Sequence, residues 1–294
     1  MLITEKLETC PFSPSEKVIV DFILKNGHQL QHLTTTQIAE RTFSSKSTLV
    51  RVAQKLHFSG WKAFKEAYLA ELNYLDKTLT YTDANYPFTK YDSFPRIANK
   101  LAKLKQEVIT ETLDLLEPDS LDQAVQLLAK AQTIHIFAAS NNLLLSREFA
   151  LQMSRIQKDV RIHDLHGEVN FGAYLADPKS CALMISYSGE SKILLQTAEI
   201  LASRQIPLLL LTSLGDNQTT QFADVILRLS TREKLYSKIS TFATDESILF
   251  LLDTLYACLF SLNYDTHLKL RKETSRIVEA ERGASSQILQ EQRN

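Results

Sequence analysis

The chain is short of cysteine: Cys10, Cys181 and Cys258 are an odd, scattered set among 294 residues. With no C-x-x-C or comparable spacing, a disulfide framework is not expected. It also lacks a long apolar run, because the densest stretch, Ile248 to Phe260, is broken by Asp253 and falls below the roughly 18 residues of a membrane span. No secretory leader is expected, since Met1 to Pro11 carries Glu5, Lys6 and Glu8 where an apolar core belongs. Net charge is almost absent as well: at −1 the whole protein does not attract polyanions in bulk, so any nucleic-acid surface must be local. With 44% hydrophobic and 23% charged residues, the composition suits a soluble cytoplasmic protein of two domains, with no membrane partner.

One further absence is local. No Asp or Glu lies between Glu40 and Glu66, whereas Arg41, Lys46, Arg51, Lys55, Lys62 and Lys65 are all basic. Such a run most often marks a solvated face, so its meaning depends on the helices that carry it.

Those helices have clear start signals. Ser13-Pro14-Ser15-Glu16 combines an N-cap serine, proline at the first helical position and a glutamate three residues after the cap; Val18, Ile19, Phe22 and Ile23 follow at helical spacing. Thr34-Thr35-Thr36-Gln37 repeats the capping pattern ahead of Ile38 and Ala39. A third helix is predicted from Ser45, with Leu49, Val52, Ala53 and Leu56 as its buried stripe and Ser47, Val50, Arg51 and Gln54 opposite. A short helix from Gln37 to Arg41, a turn over Thr42 to Ser44 and a helix from Ser45 have helix-turn-helix spacing. Lys46, Ser47, Thr48 and Arg51 are expected to face base edges and phosphates of double-stranded DNA, with Lys55, Lys62 and Lys65 as backbone contacts. The competing reading is a three-helix packing module with a basic outer face.

The stretch "FSPSEKVIVDFILKN...LTTTQIAERTFSSKSTLVRVAQKLHFSGWKAFK" resembles the N-terminal domain of the RpiR family of bacterial transcriptional regulators, from about Phe12 to Leu72. The most specific residues are Ser45, Thr48 and Arg51 in an S-x-x-T-x-x-R pattern, the K-L-x-F-S-G of Lys55 to Gly60, and Trp61 after it. Where that family usually has a glycine in the turn, this chain has Phe43, which implies a wider turn.

Beyond Asp76 the helical pattern lapses into "TLTYTDANYPFTKYDSFP", read as a linker over residues 77–95 between a domain at 1–76 and another at 96–294. A long amphipathic helix is predicted from Arg96 towards Pro118, and a shorter one over Leu121 to Ala131. Apolar runs at Thr133 to Ala138, Val160 to Asp164, Cys181 to Tyr187, Pro207 to Ser213 and Asp224 to Leu229 then alternate with helical stretches such as Leu143 to Ile156 and Ser191 to Arg204. This alternation predicts βαβ units: an all-α helix-turn-helix domain is joined to an α/β domain with a mostly parallel five-stranded sheet flanked by helices.

Ligands of such sheets sit outside the carboxyl ends of the strands. Two predicted exits are rich in hydroxyls and amides, Ser140-Asn141-Asn142 and Ser186-Tyr187-Ser188-Gly189-Glu190-Ser191. The second offers backbone N–H groups at a positive helix end, hydroxyls from Ser186, Ser188 and Ser191, and Gly189 for the sharp turn. No G-x-x-x-x-G-K-[ST] or G-x-G-x-x-G occurs, so neither a Walker loop nor a dinucleotide fingerprint is present. On residues alone, a phosphate cradle and a capped turn with spare hydroxyls both stay open.

The passage "CALMISYSGESKILLQTAEILASRQIPLLLLTS...FADVILRLS" resembles the sugar isomerase (SIS) fold, the usual partner of an RpiR-type DNA-binding domain. Its S-x-S-G-x-T/S loop holds the phosphate of a phosphosugar. The resemblance implies that Ser186, Ser188 and Ser191 bind phosphate, and Ser140 matches the serine of the family's first loop. That loop usually bears glycine; Ala138 to Asn142 has none, leaving an asparagine as the residue to adopt a left-handed conformation. Many relatives carry Ser-Arg near Thr244-Asp245, so Asp245 reverses a charge that could face an anion.

Other residues have ordinary readings. His163 to Glu168 is not read as a metal site; a sugar-hydroxyl contact by His163 or His166, or a surface histidine, fits better. Glu190, Glu246 and His135 qualify as isomerase bases only by residue type. Ile248 to Phe260 reads as core or subunit interface, and the charged C-terminal stretch as an amphipathic helix with a frayed end. The resemblances together imply a DNA-binding regulator of carbohydrate metabolism genes, with no catalytic residues, cofactor or metal. It would bind a double-stranded operator and a phosphorylated sugar or amino sugar, as a homodimer or dimer of dimers. The alternatives are a sugar-phosphate isomerase with an appended helical domain, and an effector-blind DNA-binding protein with a degenerate SIS dimerisation domain.

Overall fold

Capping and apolar spacing place the N-terminal helices. The computed structural model describes residues 1–79, 81–279, 283 and 288. Five helices come first: α1 (Ile3–Thr9), α2 (Pro14–Asn26), α3 (Thr35–Arg41), α4 (Lys46–Lys55) and α5 (Trp61–Leu79), with a 3-10 turn over Gly27–His32. The three start signals close as expected. Ser13 N–H donates to Glu16 at 2.9 Å, Thr34 and Gln37 exchange capping bonds, and Thr48 N–H donates to the Ser45 hydroxyl at 3.3 Å. Ile19, Ile23, Ile38, Leu49, Val52 and Phe64 are fully buried between these helices, and Phe58, Trp61, Phe64 and Tyr68 pack ring against ring. A short α1 was not foreseen. It packs on α2 and α5, where the Glu71 carboxylate accepts from Ile3 N–H, Thr4 N–H and the Thr4 hydroxyl.

The helix α5 runs through the expected boundary at Asp76, and the linker that follows is docked rather than loose. Thr82 N–H donates to Glu107 at 2.8 Å, Asn85 Oδ1 accepts from Lys234 N–H, and Ala84 is buried.

Next come α6 (Phe94–Asp114) and α7 (Pro118–Lys130), each with proline in its first turn. The strands are β1 (Thr133–Ala138), β2 (Asp159–Ile162), β3 (Cys181–Ile185), β4 (Leu208–Ser213) and β5 (Val225–Leu229), and the helices among and after them are α8 (Asn142–Ser154), α9 (Val169–Tyr174), α10 (Lys192–Ser203), α11 (Phe242–Leu262) and α12 (Tyr264–Val278). All pairings are parallel, in the order β2-β1-β3-β4-β5. Strand ends differ from expectation by one or two residues, and α9 was not foreseen. The frayed end expected beyond α12 lies outside the described residues, save Glu279, Gly283 and Ile288.

The central strands are buried on both faces. Ile134, Ile136, Leu183, Leu209 and Leu227 pack with residues of α7, α8 and α11, while Phe137, Ala182, Met184, Leu208 and Leu210 pack with those of α9 and α10. The run Ile248 to Phe260 belongs to the first of these layers. Among the described residues no single helix is long and apolar enough to cross a membrane.

Among the described residues, two clasps join the helical region to the α/β region. Lys6 pairs with Asp216, whose N–H donates to the Met1 carbonyl. Tyr74 OH donates to Glu111 at 2.6 Å and accepts from Thr231 N–H at 3.0 Å. Between them lies a cavity of about 610 Å³, lined by Lys6, Phe58, Tyr74, Glu111, Asp216 and Arg228 among others.

Candidate functional site

The helix-turn-helix face is built by α3 and α4. Phe43 sits in the left-handed region at φ 47°, fully exposed, with Phe43 N–H donating to Glu40 and Ser44 N–H to Ala39. This is a Schellman closure with phenylalanine where glycine is usual. The turn is therefore tight, not widened as expected, and the buried Thr42 hydroxyl ties it to the Ile38 carbonyl at 2.7 Å.

Burial sorts the expected DNA contacts. Lys46, Ser47 and Arg51 are exposed on α4. Thr48, expected to face outward, is 4% exposed: its hydroxyl meets Ser45 and accepts from Arg51 at 3.1 Å, so it orients the guanidinium from below. Lys55 lies against its own domain, paired with Glu16 at 3.2 Å and 5.3 Å from the centre of the Phe12 ring. Lys65 donates to the carbonyls of Gln31 and Leu33, whereas Lys62 projects from α5. The outward face of α4 gains Val50 and Gln54, which the helical stripe had placed there without assigning them a contact. A methyl-bearing side chain and an amide suit thymine methyls and adenine edges respectively.

The second site lies where the strand order reverses, between β1 and β3, with Ala138 and Ile185 level in adjacent strands. Both hydroxyl-rich loops leave from this point. Ser186 is buried, while Ser188 and Ser191 are half-buried. Ser191 stands at the N-cap of α10 without a side-chain capping bond, leaving the helix's first N–H groups free of that acceptor. Ser188 Oγ accepts from Glu190 N–H at 3.2 Å. Gly189 has φ 66°, and a Cβ there would lie 1.9 Å from Asn217 Cγ, so only glycine fits against the turn beneath. In the first loop the left-handed residue is Ser140 itself, φ 53°, and not an asparagine.

Neighbouring groups complete the wall. Asp245 does not stand free: it accepts from Asn141 Nδ2 at 2.8 Å and from Thr241 at 2.7 Å, tying the first loop to the first turn of α11, and burial raises its carboxyl above the usual range. Glu233, missed by sequence reasoning, is wholly buried. It accepts from Ala243 N–H (2.6 Å), the Thr244 hydroxyl (2.7 Å) and Lys238 (3.2 Å), so its carboxylate caps α11. Tyr187 OH donates to the Glu233 carbonyl.

His163 turns inward, its Nε2 2.9 Å from Nδ1 of the buried His135 and its ring stacked on Phe137. A Cβ on Gly172 of α9 would meet that ring at 2.1 Å, so glycine lets the helix approach. Burial, reinforced by His163 and Arg161, pushes His135 down to about 4; burial and Arg161 lower His163. Both are therefore neutral at pH 7. Protonation below the ordinary value of 6.5 favours the unfolded chain, so stability should fall as pH drops from 6.5 towards 4. Thermal midpoints across that range should show the fall, and His135→Gln, which does not titrate there, should flatten it. Of the residues considered as isomerase bases, His135 is thus spent on His163, Glu246 pairs with Lys105 and Glu190 accepts from Gln218 N–H. Among the described residues no group of three potential metal ligands occurs.

Comparison with known proteins follows the same division. Residues 2–73 match the helix-turn-helix domain of the rpiR family and residues 127–256 match the SIS domain. The fold is similar to that of the Vibrio vulnificus NanR protein complexed with ManNAc-6P (TM-score 0.59, 22% identity, covering 96% of this chain and 99% of that one). It is also similar to the sugar isomerase domain of an RpiR transcription factor from Sphaerobacter thermophilus (0.54, 14%, 61% and 98%). A proposed sugar-phosphate isomerase from Listeria monocytogenes matches at 0.53 and 13% identity, over 64% of this chain and 99% of that one.

Proposed function

Because this chain belongs to the RpiR-type regulators, with their helix-turn-helix domain and a SIS domain, we propose that it is a transcriptional regulator that senses a phosphorylated sugar without converting it. The observation that carries this reading is the Ser186–Ser191 loop at the open N-terminus of α10, in the same chain as an α4 that presents Lys46, Ser47 and Arg51. Ser186, Ser188 and Ser191 are the phosphate ligands of the proposal and Ser140 closes the first loop over the sugar. Lys46, Ser47, Arg51 and Lys62 meet DNA, with Thr48 positioning Arg51 and Lys55 bracing α4. In this reading residues 1–76 form the DNA-binding domain and residues 96–294 the sensing and dimerisation domain, with α5 as the stalk that runs across residue 76 into the 77–95 linker. A homodimer, or a dimer of dimers, would place two recognition helices on one near-palindromic operator. NanR, solved with ManNAc-6P, makes an amino-sugar phosphate the first effector to try.

Two variants separate the functions. Arg51→Ala should weaken binding to an operator selected from random sequence by about 5- to 150-fold, the equivalent of ~1–3 kcal/mol for one lost specific contact, and leave phosphosugar binding intact. Ser188→Ala should do the reverse, reducing the line broadening of the bound phosphate in phosphorus NMR and sparing operator affinity. Equal loss of DNA binding in both folded variants contradicts separate sites, and appearance of a new phosphate resonance would make the protein an isomerase.

A further inference from the structure

The serine loop does not end at its phosphate ligands. Glu190 Oε1 accepts from Gln218 N–H at 3.1 Å, the Thr219 hydroxyl donates to the Gly189 carbonyl at 2.7 Å, and Asn217 packs directly beneath Gly189. Two residues earlier in the same turn, Asp216 holds Lys6 of α1 and donates its N–H to the Met1 carbonyl. The far side of the turn is anchored, since Arg228 donates to the carbonyls of Ser213 and Gly215 and Leu214 N–H donates to Thr231. An unbroken set of bonds therefore runs from the loop, through residues 216–219, to the first helix of the helix-turn-helix region.

We propose that Glu190 is the residue through which the serine loop controls the seating of the DNA-binding region, by way of the 216–219 turn and the Lys6–Asp216 clasp. This rests on the reading of the loop as a phosphate site. In the present arrangement Ser188 Oγ is occupied by Glu190 N–H, and the carboxylate of Glu190, which directly precedes Ser191 in the loop, is held on Gln218 N–H. A phosphate recruits the Ser188 hydroxyl and the loop N–H groups, for which it offers stronger, charge-assisted bonds. It also places a second negative charge next to Glu190, and like charges in one site repel. Glu190 then leaves Gln218 N–H, the turn loses that restraint, and the clasp on Lys6 loosens. The Tyr74–Glu111–Thr231 clasp meets this turn only on its anchored side, where Thr231 accepts from Leu214 N–H, and remains as the pivot; the cavity between the two clasps gives the helical region room to rotate. The effector thereby differs in affinity between a clasped and an unclasped state, which linkage requires of any ligand that changes operator affinity.

Hydrogen exchange of the full-length protein tests the coupling with and without a ligand. In ligand-free protein, Glu190→Ala should raise backbone exchange in residues 2–9 and 214–220 by about three- to tenfold, the weight of one lost hydrogen bond, and leave β1 and β3 protected. Glu190→Gln keeps an acceptor for Gln218 but not the charge. It should be protected like the parent without ligand and show less release than the parent when ManNAc-6P is added. Unchanged exchange at residues 2–9 in ligand-free Glu190→Ala overturns the coupling whatever the ligand does. If phosphorus NMR shows no binding of ManNAc-6P or inorganic phosphate, the sensing reading fails instead, and the ligand-free comparison still decides whether Glu190 holds the clasp.

Discussion

Glu233→Ala should cost about 3–5 kcal/mol of stability, the range for removing one partner of a buried, hydrogen-bonded ion pair. The carboxylate is fully enclosed and satisfies three donors at once: Ala243 N–H, the Thr244 hydroxyl and Lys238. Alanine would strand the first turn of α11 without an acceptor and leave Lys238, only 12% exposed, without its counter-ion. Urea unfolding followed by circular dichroism reads the loss directly. Glu233→Gln should fall between the two, because its amide oxygen still accepts from Ala243 while the charge is gone. An alanine variant within about 0.5 kcal/mol of the parent, the range of ordinary surface substitutions, would mean that Glu233 is not the cap described.

The second large effect is expected at Gly189→Ala. An alanine at φ 66° pays for the left-handed conformation by about 1–2 kcal/mol, and its methyl would sit 1.9 Å from Asn217 Cγ. Relief of that overlap moves the loop, the turn beneath it, or both, at a further ~1–3 kcal/mol. On the proposed reading, in which the serine hydroxyls and the α10 N–H groups converge on one phosphate, displacement of the loop should weaken phosphate binding by about tenfold for each 1.4 kcal/mol of misfit. Phosphorus NMR titration measures this. Adding Asn217→Ala should recover part of the loss but not the backbone cost, so the two substitutions will be non-additive. Undiminished binding in Gly189→Ala would show that the loop is not held against Asn217 in solution.

What could be read from the sequence was mostly local. Ser13, Thr34 and Ser45 announce helices because a capping residue acts on N–H groups within three positions of itself, and the strands of the sheet are short apolar runs that need no partner to be noticed. The serine loop could be placed at a strand exit for the same reason. Residues whose role depends on distant partners were misread or missed. Thr48 is expected to face outward with Lys46, Ser47 and Arg51, yet Ser45 and Arg51 close over it; Lys55 reads as a free cation, but Glu16, 39 residues earlier, pairs with it. Glu233 caps a helix from ten residues upstream of Ala243, outside any capping pattern, and the partner of His163 is 28 residues away in β1. The six residues of α9 span fewer than two turns, too few for a period to show. Phe43 and Ser140 adopt conformations that composition assigns to glycine or asparagine, because hydrogen bonds and packing around them outweigh a local preference.

The Lys6–Asp216 clasp joins residues 210 positions apart, and that distance is also a delay. At ordinary rates of synthesis, ~5–20 residues per second, Asp216 leaves the ribosome about 10–40 s after Lys6. Through that interval the five N-terminal helices have no α/β region to rest on, and only contacts of short sequence separation hold them: the Phe58–Trp61–Phe64–Tyr68 ring cluster, the Glu71 cap on α1 and the Glu16–Lys55 pair. The part that reads DNA is thus complete before the part that instructs it has been made, and a nascent chain stalled in between would carry a recognition helix with no restraint on where it points.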